Sequence, residues 1–131
     1  LMHKLGGEVF ASTTFGGETL SLAAAKATIT KLRDEDVPNR LAGLGTSIMA
    51  HYTEVAWAAG LADVTRIIGY PQRPVVVWDE PVQGKRFATA MLAHGFLWQG
   101  YFNLTLAHAV HPGLIAALCD AFRAGMAAVD A

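Results

Sequence analysis

One cysteine, Cys119, stands in 131 residues. That count excludes an internal disulfide and a thiolate zinc site, and it fits a reducing, cytoplasmic setting. Charge is scarce and balanced. Ten Lys and Arg face eleven Asp and Glu, for a net charge of −1, which argues against nucleic acid as a partner. Apolar stretches are short and interrupted, far from the roughly 20 residues a membrane span needs. Leu1-Met2-His3-Lys4 leads into no long apolar core, so no signal peptide is expected. Internal repeats and low-complexity tracts are also missing.

What remains is strongly apolar. Hydrophobic residues make up 53% of the chain and charged ones 16%, a balance that excludes disorder and allows one domain with a modest core. The apolar share is high for so small a body, as if a large face were buried against other protein. Leu1 to Ser12 reads as the end of a preceding domain, with a short strand at Val9-Phe10-Ala11-Ser12. The paired glycines of Thr13-Thr14-Phe15-Gly16-Gly17-Glu18 form a turn.

Periodicity then sets the elements. Leu22, Ala25, Ile29 and Leu32 make one face of a helix from Thr19 to about Arg33. Glu18 at its start and Lys31 and Arg33 at its end suit the helix dipole. A second helix begins near Asp34 or Asp36, with Pro38 in its first turn and Gly60 as its stop. Its stripe is Val37, Leu41, Leu44, Ile48, Tyr52, Val55 and Ala59. Val64–Ile68 and Val75–Trp78 read as strands around Gly69-Tyr70-Pro71-Gln72-Arg73-Pro74. A third helix spans about Val82 to His94, with Phe87, Ala90 and Met91 inward. Phe96–Trp98 and Phe102–Ala107 are further strand candidates. A last helix begins near Pro112, with Ile115, Leu118, Phe122 and Met126 on one face. The order implies an α+β fold, a small antiparallel sheet covered by helices.

The segment with chemical content is the hydroxyl- and glycine-rich turn that feeds the first helix. Free amides, glycines that permit close approach and a threonine hydroxyl make an anion site. By itself such a turn is more often structural than a phosphate cradle. Ser12-Thr13-Thr14-Phe15-Gly16-Gly17-Glu18, followed by Leu20-Ser21-Leu22-Ala23-Ala24-Ala25, resembles the Thr-Phe-Gly-Gly segment of class III pyridoxal-phosphate-dependent aminotransferases, in the branch similar to glutamate-1-semialdehyde aminomutase. Looser likenesses follow in the same order: Asp34 to Gly45, Ala93-His94-Gly95-Phe96, and Leu104-Thr105-Leu106-Ala107-His108. Two departures stand out. Thr13 occupies a position that is glycine in many members, and Ala109-Val110-His111-Pro112-Gly113 replaces the usual acidic start of the last helix.

The resemblance implies the C-terminal portion of a homodimeric enzyme of PLP fold type I that moves an amino group between a small-molecule donor and an aldehyde or keto acceptor. It implies that Thr14, with Phe15 and Gly16, holds the phosphate of pyridoxal 5'-phosphate in the neighbouring subunit. Residues 1–18 would be the tail of the large cofactor domain, and 19–131 the small domain with its connecting helix. The Schiff-base lysine would lie upstream, so this stretch holds no catalytic residue and would be inactive alone. Lys4 is not assigned that role. Two alternatives stay open: an aminomutase performing a 1,2-amino shift, and a non-catalytic α+β interaction module.

Other candidates read as ordinary structure. His108 and His111 lack the further ligands a metal needs. His94 reads as a helix-end cation, His51 as solvated, and Cys119 as packing. Arg66, Arg73 and Arg86 read as surface charges, and Asp34-Glu35-Asp36 as helix-start acids. Trp98, Tyr101, Phe102 and Asn103 form an aromatic cluster that either packs the core or edges a substrate pocket.

Overall fold

The computed structural model describes Thr14 and residues 16–129. The chain divides between Asp36 and Val37 into two compact units.

In the first unit, helix α1 (Thr19–Asp34) starts where the Glu18 side chain accepts hydrogen bonds from the amides of Leu20 and Ser21, at 3.0 and 2.5 Å. Those amides otherwise have no intrahelical partner. Lys31 and Arg33 lie in the last turn, where cations suit the helix dipole. Lys31 pairs with Glu35 one turn on, and Arg33 pairs with Asp34 at 2.9 Å. The expected face of Leu22, Ala25, Ile29 and Leu32 is present as a stripe, but no residue of α1 is buried.

The second unit begins with helix α2 (Val37–Ala58), which buries Val37, Ile48, Tyr52, Val55 and Ala56. Pro38 sits in its first turn, where a missing N–H costs nothing. Strands β1 (Thr65–Ile68) and β2 (Val75–Trp78) pair antiparallel, with Thr65 opposite Trp78 and Ile68 opposite Val75. Helix α3 (Pro81–Ala93) opens on proline, the four-residue α4 (Leu106–Ala109) follows, and α5 (Leu114–Ala127) closes the described chain. Helix α2 packs on β1 and α5, and α3 packs on β2 and α5. The fold is thus α+β, with helices on a two-stranded antiparallel sheet.

The core is aromatic. Tyr52, Phe87 and Phe122 are fully buried. Tyr52 meets Phe122 edge to face at 5.2 Å and Phe87 at 6.0 Å. Burying a ring of this kind contributes about 1.5–3 kcal/mol. The Tyr52 hydroxyl donates to Thr65 Oγ1 at 2.5 Å, and Thr65 Oγ1 donates to the Val77 carbonyl at 2.9 Å. One relay therefore ties α2 to both strands, and burial pushes the Tyr52 phenol well above its usual pKa.

Two glycines allow close packing. A methyl group at position 45 would lie 1.6 Å from the Pro71 carbonyl oxygen, and one at position 125 would lie 2.6 Å from the Phe87 ring. The hairpin loop thus rests on the backbone of α2, and α5 rests on the face of Phe87.

The two further strand candidates, Phe96–Trp98 and Phe102–Ala107, do not form. Gly95 and Gly100 adopt φ of 84° and 83°, so the chain turns twice in this stretch. Only a short piece joins the sheet: Val75 bridges Tyr101, with Val76 N–H donating to Gly100 O at 2.8 Å and Phe102 N–H to Pro74 O at 2.9 Å. Ala107 and His108 lie in helix α4, where the Thr105 amide donates to His108 Nδ1 at 3.0 Å. That reciprocal cap outweighs the β pattern of Leu104-Thr105-Leu106.

Candidate functional site

The turn before α1 carries two of the three residues expected to hold a phosphate. Thr14 lies in a bend and Gly16 in a turn, and both are exposed. Phe15 lies outside the described residues, as do Leu1 to Thr13. A methyl group at Gly17 would meet nothing within 4 Å, and its φ lies outside the left-handed region. Neither backbone strain nor a neighbour within the described residues requires glycine there.

The mouth of α1 is already in use by an anion. Hydrogen bonds from Ser21, side chain first and then backbone, and from the Leu20 amide hold the Glu18 carboxyl below its usual pKa. Glu18 is therefore ionised at neutral pH and takes up the first-turn amides.

Within the second unit, the aromatic cluster borders a cleft of about 530 Å³. Trp98, Tyr101, Phe102 and Asn103 all line it, with Ile48 of α2 and Leu118 of α5 beneath. Trp98 meets Phe102 edge to face at 5.1 Å and Phe87 at 5.4 Å, so the cluster packs on the core as one of the two readings has it. Its rings pack on the core and also face an opening. His108 joins this lining through the start of α4, a contribution that spacing in the sequence does not reveal.

The three arginines have partners. Arg66 pairs with Asp79 at 2.8 Å, and Arg86 Nη1 donates to the Val129 carbonyl at 2.8 Å. The Arg73 guanidinium lies 4.9 Å from the centre of the Tyr101 ring, an arrangement that attracts a cation to the ring face. His51 Nδ1 is 2.7 Å from the Ser47 carbonyl oxygen one turn back.

A second cleft, of about 540 Å³, runs between α2 and α5 past His51, Glu54, Val55, Cys119, Arg123 and Met126. Burial pushes the Cys119 thiol up, partly offset by Arg123 and reinforced by Asp120 and Glu54. The group therefore stays a thiol at neutral pH and is a poor nucleophile. Among the described residues, no three His, Cys, Asp or Glu side chains are placed to hold a metal ion, and no helix is long and apolar enough to cross a membrane.

Compared with protein-family models, curated proteins and solved structures, the chain matches none.

Proposed function

We propose that this chain is the C-terminal portion of a class III, pyridoxal-phosphate-dependent aminotransferase that acts as a homodimer. The string from Ser12 to Glu18 carries the reading. It places a threonine hydroxyl and two glycines ahead of an alanine-rich helix, and the Thr14 and Gly16 positions are exposed. Support also comes from α1, whose Leu22, Ile29 and Leu32 are exposed.

The residues fit one part of the cofactor. Thr14 would donate its hydroxyl to a phosphate oxygen, and the glycines at 16 and 17 would let that oxygen approach the backbone. Phe15 would add its backbone to the same contact. Glu18 limits the fit by keeping the anion off the first-turn amides. When bound, the cofactor supplies the electron sink for amino-group transfer. The lysine that would anchor it belongs to the upstream domain in this reading, so the role of this chain is to hold the phosphate of the neighbouring subunit.

A charge-assisted hydrogen bond of this kind contributes about 1.5–3 kcal/mol. In the intact protein, Thr14→Ala is expected to weaken cofactor retention roughly tenfold or more, followed as loss of visible absorbance on dialysis. Unchanged retention removes the assignment. Product analysis without an added amino donor separates amino transfer from an internal amino shift.

A further inference from the structure

The cleft beside Trp98 stands apart from the turn at Thr14 in its chemistry, because no Lys, Arg, Asp or Glu among the described residues lines it. Its volume of about 530 Å³ falls within the range of small-molecule sites, about 300–1,000 Å³. The floor is aliphatic, made by Ile48, Leu114 and Leu118, and the wall is the edge-to-face pair of Trp98 and Phe102. Such a pair accepts a third ring in the same geometry.

Four polar side chains, Gln99, Tyr101, Asn103 and His108, line this space, and the Tyr101 hydroxyl donates to Gln99 Oε1 at 2.7 Å. The Asn103 side chain has no hydrogen-bond partner among the described residues. His108 Nδ1 accepts the Thr105 amide, so the imidazole is held with its proton on Nε2, which is left as a donor. The surrounding segment is held in place before any guest arrives. Phe96 N–H donates to Met91 O at 3.0 Å, and the backbone of Gly100 and Phe102 is bonded to the sheet edge.

We propose that this cleft is a binding site for a neutral molecule carrying an aromatic ring with a hydrogen-bonding edge. The ring packs against Trp98 and Phe102, and its polar edge meets the Asn103 amide and His108 Nε2–H. An ionised ligand would meet no Lys, Arg, Asp or Glu among the described lining residues, so its loss of water would go uncompensated there. The site rests on residues of the second unit alone and stands whether or not the chain serves a cofactor.

Indole titrated into the full chain tests this, followed by amide NMR. The indole N–H signal of Trp98 and the amides of residues 95–104 should shift saturably, with a dissociation constant at or below about 1 mM. Trp57, exposed at 77%, serves as an internal control and should not saturate. Benzoate, a ring with a full negative charge, should bind at least roughly tenfold more weakly. Asn103 is exposed, so Asn103→Ala should keep the fold and weaken indole roughly threefold or more. Asn103→Trp should fill the opening and abolish binding. Unchanged amide signals from β1, which contributes nothing to the lining, establish that each variant is folded. An immobile Trp98 signal, equal binding of benzoate, or full binding by Asn103→Trp overturns the proposal.

Discussion

Helices α1 and α5 look alike as sequences and behave differently as structures. Both are alanine-rich and amphipathic, yet α5 buries Leu118, Cys119, Ala121, Phe122, Gly125 and Met126 while α1 buries nothing. Helix α5 is held by its neighbours, since the Phe122 ring and Gly125 interlock with α2 and α3. Helix α1 is held by its own chain: a carboxylate cap, helix-forming alanines and two exposed ion pairs. Exposed pairs of that type contribute little, about 0–1 kcal/mol each. The contrast shows that an apolar stripe specifies a helix without specifying the body that covers it.

Core truncation should break the comparison most sharply. Phe87→Ala removes the ring against which α5 rests, and a loss of about 3–5 kcal/mol is expected from denaturant midpoints. Leu22→Ala on α1, by contrast, should stay within about 0.5 kcal/mol. Equal effects at the two positions would mean that α1 is as deeply packed as α5.

A smaller effect is expected at the relay from α2 to the sheet. Tyr52→Phe removes the bond to Thr65, while Thr65 keeps its bond to Val77, so the loss should be about 0.5–1.5 kcal/mol. The pH dependence has a definite sign. Because the folded phenol titrates above the ordinary value of 10.0, its contribution is intact below that pH and is lost as pH rises beyond it. Alkaline melting curves should show wild type losing stability above that point more steeply than Tyr52→Phe does.

The smallest effect belongs to Glu18. Its carboxyl is held low in the folded cap, so the cap is present above the ordinary carboxylate range and disappears as pH falls through the lowered value. Glu18→Ala should reduce helical circular dichroism from α1 and remove this acid dependence. The cooperative unfolding midpoint of the second unit should not move.

Elements with a strong period were legible. The faces of α2, α3 and α5 contain the residues the spacing selects, among them Ile48, Tyr52, Phe87, Met91, Phe122 and Met126, and β2 spans Val75–Trp78 as read. Legibility failed where a local hydrogen bond or a left-handed glycine outweighed composition. The aromatic and β-branched residues from Phe96 to Ala107 suggest strands, but Gly95, Gly100 and the Thr105–His108 cap turn that stretch into a wall and a short helix. The cleft was half legible. Its aromatic members cluster in sequence, whereas Ile48, Leu114 and Leu118 reach it only through the packing of α2 and α5. At the Thr14 turn, the resemblance named the residues, and Phe15 falls outside what the structure describes.

The contact between Gly45 and Pro71 has a consequence for how this protein tolerates change. With a carbonyl seated where a side chain would otherwise project, α2 and the Gly69–Pro74 loop share one notch. Lengthening that loop, or placing any larger residue in the notch, would slide the hairpin along the helix and unseat the pairing of Tyr52 with Thr65. A missing carbon atom at one position therefore helps fix the alignment of two elements that are also joined by the Tyr52–Thr65 and Gln72–Pro38 hydrogen bonds.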